Sequence, residues 1–474
     1  MKKGTLFQLV DDVTPANLKQ AMQQAIEIEI ATIPVYLYTY YSITRVPDQG
    51  AITKQILADF KAQNKCEKTD AELEEAAEKL GLDIMVFANK AGSLIMSVAV
   101  EEMLHMSLSS NIKNALKKYG GLPELVGKTP KHWPAFLPGH EPPFPINRAK
   151  LTLDQLYTFL LIESPLPVVP DPKSKAKAIP YDTIGDYYQK IIDCMNKYLT
   201  DDDFDADAPQ LINSKFYSQN NVDTVYYDAD HKPQFSNEED SGGLVHVTSV
   251  ATAVHAMDEI VEQGEGATSK TGKKGDHLTH DGKVVCATKI NPLSYDDPSK
   301  GELSHFDKFL EIYCTIQRTN HDLNMFLGTE DFDYTKYFIK DLPTNPATTD
   351  YPEDIQKVCT LNNAIYTYLF VMAEGCYKKK GHTQFEIFMF GIHKTMIWLL
   401  NTISDSMAGL TYTDPKDKTT KCVSATFEDY DFSKSTASPK EQVIALGEIA
   451  MKVKNSIINQ GVLDIIHDLP DVEL

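Results

Sequence analysis

The chain has 474 residues, 42% of them hydrophobic and 24% charged, enough apolar material for a sizeable core. Its net charge of −21 excludes the basic footprint that nucleic acid or an anionic membrane surface would need. The cysteines (Cys66, Cys194, Cys286, Cys314, Cys359, Cys376, Cys422) are scattered, odd in number and without a Cys-x-x-Cys, which points to a reducing, cytoplasmic compartment and away from a disulfide framework. The N-terminal apolar run meets Asp11 and Asp12 too soon for a signal peptide, and no stretch is expected to span a membrane.

Thr14-Pro15 opens a helix expected over about 17–42, because threonine caps well and proline is tolerated in the first turn. Leu18, Met22, Ile26, Glu29, Ile33, Tyr36 and Tyr40 share its apolar stripe, so Glu29 faces inward, whereas Glu27 lies about 160° away. Tyr36, Tyr38, Tyr40 and Tyr41 add aromatic bulk, read first as core packing and second as substrate contact. Residues 48–80 are polar, with a helical segment near 71–80. A second long helix is expected over 83–116, stopped by Gly120-Gly121. It carries Glu102-Met-Leu-His105, whose carboxylate and imidazole share one face at i and i+3.

The following loop, 123–145, holds His132, Trp133, Phe136 and His140 and reads as a site wall or a packed surface loop. A third helix, 153–163, is almost wholly apolar and ends in Glu163, a charge that is costly to bury unless paired or bound to metal. The insertion 166–240 contains a helix near 183–198 and an acidic run, 201–207, that lacks the glycine and terminal glutamate of a calcium loop. A fourth helix, 243–266, carries His255, Glu262 and Glu265, then breaks into a glycine- and lysine-rich insertion over 267–300. Order resumes at Ser304-His305-Phe306. After about 340, apolar helices are expected over 361–377, 385–407 and 439–459. Their Glu374, Glu386 and His393 read as supporting or surface residues.

Glu29, Glu102, His105, Glu163, Glu262 and His305 together make four carboxylates and two imidazoles on apolar helices, the inventory of a dinuclear carboxylate site in a four-helix bundle. Oxygen and imidazole donors without thiolate suit two iron ions, manganese, or one of each. The last pair departs from the Glu-x-x-His spacing, since the insertion separates Glu262 from His305. Glu265 is therefore an alternative ligand and His255 a weaker one.

These motifs, with Glu29-Ile-Ala-Thr-Ile-Pro-Val-Tyr36, Ile162-Glu163-Ser-Pro165 and Ile260-Val-Glu262-Gln-Gly-Glu265-Gly266 followed by Ser304-His305-Phe306, resemble the ferritin-like domain of the iminophenyl-pyruvate dimer synthases of violacein- and rebeccamycin-type pathways. The resemblance covers about 10–320 and continues loosely through 364–377 and Thr426-Phe427-Glu428. It implies an all-α ferritin-like four-helix bundle over 10–340, with insertions at about 166–240 and 267–300, and a C-terminal helical region, 341–474, packed on the bundle. The family's Gly-Glu-Gly break before Ser-His-Phe supports His305 as the ligand. The resemblance does not carry over the synthases' substrate; the activity expected of such a site is oxygen-dependent oxidation of a small organic, amino-acid-derived or aromatic, molecule, with dioxygen as partner and neither nucleic acid nor membrane. A homodimer is compatible. A ferroxidase or metal-handling protein that forms no shell is the alternative.

Overall fold

A computed structural model describes residues 9–45, 47–136, 144–165, 183–213, 243–264, 275–279, 281–287, 303–414, 418–453 and 456–472. The expectations for Glu265, His140 and most of the two insertions lie outside these residues. The described chain is helical with three small two-stranded hairpins, an all-α fold.

Helix α1 (Leu18–Tyr41) runs through Pro34 without interruption. Helix α2 (Gln49–Gln63) was not expected from its polar sequence; it buries only Ile52, Ile56 and Phe60. Helix α3 (Asp70–Ala115) joins two segments expected to be separate into 46 residues. Thr69 starts it with a capping box, its side chain accepting from the Glu72 N–H while Glu72 accepts from the Thr69 N–H. Between Ala91 and Ile112 almost every position is buried, because neighbours surround the helix. An 18-residue window of α3 is long and apolar enough to cross a membrane, contrary to expectation, but 67% of it is buried inside the protein.

Helices α4 (Leu153–Ile162), α5 (Ile184–Tyr198) and α6 (Val250–Gly264) follow, the first two capped by Thr152 and Thr183. Helix α7 (His305–Leu327) begins at Ser304, whose side chain accepts from the Asp307 N–H. Helix α8 (Glu353–Cys376) leads through α9 (Gly381–Glu386) into π-helical turns at Ile387–His393 and Thr395–Leu400, then α10 (Asn401–Ala408). Gly391 lies so close to α8 that a Cβ would stand 2.6 Å from Met372 Cγ. The expected last helix ends early as α11 (Pro439–Met451), and a further helix that was not expected, α12 (Gln460–His467), follows.

Among the described residues, two apolar clusters fill the interior. One joins α1, α2, α3, α4, α7 and the C-terminal helices; the other joins the first half of α1, the last part of α3, α5 and α6. Tyr36, Phe159 and Phe309 meet with centroids 4.8–5.2 Å apart and lock α1, α4 and α7 together. Each such fully buried ring contributes about 2–3 kcal/mol by removal from water. The cysteines depart from expectation as well: Cys286 and Cys314 form a disulfide that ties the hairpin His277–Leu278/Val284–Val285 to α7. Spacing could not disclose a pair whose partners are adjacent only through tertiary packing.

Candidate metal centre

The seam between the two clusters is where the polar residues gather. Glu29, Glu102, His105, Glu163 and His305 arrive from α1, α3, the C-terminal end of α4 and the first residue of α7, and each is at most 5% exposed. One ligand atom from each of Glu102, His105 and His305 falls within 4.8 Å of the other two. His305 Nδ1 lies 3.0 Å from Glu102 Oε1 and 3.5 Å from Glu163 Oε2, and His105 Nδ1 lies 3.6 Å from Glu29 Oε2. The two imidazoles stack with centroids 5.1 Å apart.

Other side chains hold these groups in place. Thr32 Oγ1 donates to Glu102 Oε2 at 2.6 Å. The Tyr36 hydroxyl donates to Glu163 and the Tyr188 hydroxyl to Glu29. Burial, then the charges of Glu163 and Glu102, raises the Tyr36 phenol well above its ordinary value; burial and Glu29 do the same for Tyr188. Both phenols therefore stay protonated and donate. Tyr36 is thus more than the core packing expected of it. The far nitrogen of each imidazole also has an acceptor: His105 Nε2 donates to Gln263 Oε1 at 3.0 Å and His305 Nε2 to Glu101 Oε2 at 2.8 Å. Neither Glu101 nor Gln263 stood out in the sequence.

Glu262 does not join the group. It is exposed on α6, whose buried face is Ala253, Ala256, Met257, Ile260 and Gly264. Two residues from Ile260 along a helix is about 200°, the opposite face, and the apolar spacing of α6 already carried that signal. His255 is exposed too, 3.9 Å from Glu259. Glu374 instead anchors the 123–145 loop, accepting from the Leu125 and Val126 N–H groups at 2.8 and 3.0 Å.

The donor set fits a metal on three counts. Among the described residues, the only ion-pair partners of Glu29, Glu102 and Glu163 are the two histidines, which is too little positive charge for three buried carboxylates. Burial, then repulsion from Glu29, drives the Glu102 carboxyl well above its usual range. Burial acts the same way on Glu29, but hydrogen bonds from His105, Glu102 and Tyr188 and the charge of His105 together lower the group. Finally, His305 Nδ1 is buried without a hydrogen-bond partner, although Glu102 Oε1 is 3.0 Å away. A cation between them would satisfy all three.

Glu29, Glu102, His105 and Glu163 line a small, partly open pocket of about 20 Å³, shared with Ile28, Ile184, Gly185, Ile260, Val261 and Gly264. The described part of the 123–145 loop lines none of it, which favours the packed surface loop of the two expected readings. Trp133 lies against the Arg148 guanidinium at 5.0 Å, and Phe144 packs on the core.

Residues 22–314 match the Ferritin-like family. A ferritin-like protein from Caulobacter vibrioides, known from its crystal structure, is 18% identical with a TM-score of 0.39, over 82% of this chain and 97% of that one. No curated protein matches the chain. The family match takes in well over half of the 474 residues, including all five of the converging side chains, and the chain therefore belongs to the ferritin-like family.

Proposed function

We propose that the chain is a dinuclear iron or manganese oxidase or oxygenase that acts on a small, amino-acid-derived or aromatic molecule with dioxygen. The observation that carries this reading is the convergence of Glu102, His105 and His305 in a buried, cation-deficient cluster that opens onto a small pocket. Glu29 with His105 would hold one ion and Glu163 with His305 the other, with Glu102 between them. Such a pair of ions, when bound, supplies the redox chemistry between dioxygen and substrate. The protein's own part is positional. Thr32, Tyr36 and Tyr188 each donate to one ligand carboxylate and fix which oxygens face the metals. Ile28, Ile184, Ile260 and Val261 contribute apolar walls to the pocket that the carboxylates line. A place in secondary metabolism is supported by the resemblance to the dimer synthases alone.

Metal analysis of the purified chain tests the site. Two equivalents are expected in the wild type and none in Glu102→Ala; a metal content that survives the substitution would sink the assignment. Dioxygen uptake by the ferrous-loaded chain then tests the activity. Uptake that ends once the added iron is oxidised, whichever aromatic amino acid or imino acid is supplied, would favour metal handling instead.

A further inference from the structure

Directly behind His305 lies a buried ion pair outside the ligand set. Lys308 Nζ stands 2.7 Å from Glu101 Oε1 and 2.6 Å from Oε2, and His305 Nε2 meets the same Oε2 at 2.8 Å. Glu101 is 7% exposed, Lys308 3% and His305 fully buried. A pair this deep adds little net stability, because the cost of desolvating two charges offsets most of their attraction. Its placement suggests a different role. A carboxylate that accepts from Nε2–H leaves the lone pair of the ring on Nδ1, the atom that faces Glu102 and Glu163. Lys308 contacts both oxygens of Glu101 and so sets the orientation of its carboxylate. The other imidazole is backed differently, since His105 Nε2 meets the neutral amide of Gln263.

We infer that Glu101, held by Lys308, is a positioning residue that fixes the His305 tautomer and ring direction and makes the His305 half of the centre the tighter of two inequivalent metal positions. This rests on the ligand set proposed above. A carboxylate backing raises imidazole basicity more than an amide does, so the two positions should fill in order.

The test is a titration of metal-free chain with cobalt(II), followed by its visible absorption and by competition with a chelator. Wild type should take up two equivalents with distinct affinities. Glu101→Gln keeps an acceptor opposite Nε2 but removes the charge that meets Lys308 at 2.6 Å, so the double variant Glu101→Gln/Lys308→Met is made beside it to preserve folding. Both should lose about 10- to 100-fold in affinity at the tighter position, with an altered cobalt spectrum there and the second position unchanged. The control is Glu311→Gln. Glu311 pairs with Lys90 at 3.4 Å and links the same two helices away from the site, so its loss should alter neither affinity. Absence of cobalt binding in the wild type would overturn the ligand set itself. Two unaltered equivalents in the double variant, or an equal loss in Glu311→Gln, would overturn the positioning role alone.

Discussion

Glu101 and Glu102 are neighbours in sequence with different surroundings: Glu102 faces the cluster, whereas Glu101 faces α7 and its Lys308. About 100° of helical rotation separates them, enough to assign one carboxylate to the metals and the other to the back of an imidazole. Lys113, three turns further along α3, shows what burial does to a charge that no anion offsets closely. Its Nζ donates to Gln23 Oε1 at 2.5 Å and the Leu122 carbonyl at 2.9 Å, and burial pushes it down from 10.5 to about 8. The folded value lies below the unfolded one, so between about pH 8 and 10.5 the unfolded chain binds more protons and stability rises with pH. Below that window the shift is a constant destabilising contribution. Urea midpoints at pH 7.5 and 10 should therefore differ more in wild type than in Lys113→Met; equal slopes would refute the burial argument.

Helix α7 ties the site to the rest of the bundle. At one end Ser304 caps it and makes His305 its first residue; at the other Gly328 ends it with φ 69°. Glycine adopts that left-handed conformation freely, and a Cβ there would stand 2.6 Å from Cys66 Sγ. Gly328→Ala should cost about 1 kcal/mol or more in chemical denaturation. Metal stoichiometry should stay unchanged, because 23 residues place His305 about 35 Å away. Loss of metal in that variant would mean that the helix transmits strain along its length. Helix α3 illustrates the reverse problem: it is buried on all sides near the site, so its sequence shows no apolar stripe from which to tell which of two adjacent glutamates faces which neighbour.

Across the whole chain, the C-terminal helices share the large apolar cluster with α1, α3 and α7. The Tyr377 hydroxyl donates to the Ser107 carbonyl at 3.1 Å, and the Tyr38 hydroxyl to Ser424 Oγ at 2.8 Å. The Cys286–Cys314 bond adds a covalent tie across 28 residues, leaving Cys66, Cys194, Cys359, Cys376 and Cys422 free. Denatured but unreduced protein should titrate five thiols, and Cys286→Ser should lower stability by about 3–4 kcal/mol. Seven titrating thiols would refute the bond.

Helix periodicity, capping residues and the Glu-x-x-His spacing pointed to an all-α chain, the family resemblance to a four-helix bundle, and five of the six residues named as ligands lie together in the structure. Those are local properties, set by 3.6 residues per turn and by the cost of a charge on an apolar face. Glu262 shows the limit of an inventory by residue type: it is the right residue in the right helix on the wrong face. The pairing of Cys286 with Cys314, the buried Glu101–Lys308 pair and the Tyr36 and Tyr188 contacts to ligand carboxylates join residues 28 to 207 positions apart. Contacts at that range depend on how helices dock, and docking is a property of the packed interior that no local pattern contains. Glu102-Met-Leu-His105 could be read from its spacing, whereas the supports that hold the site around it could not.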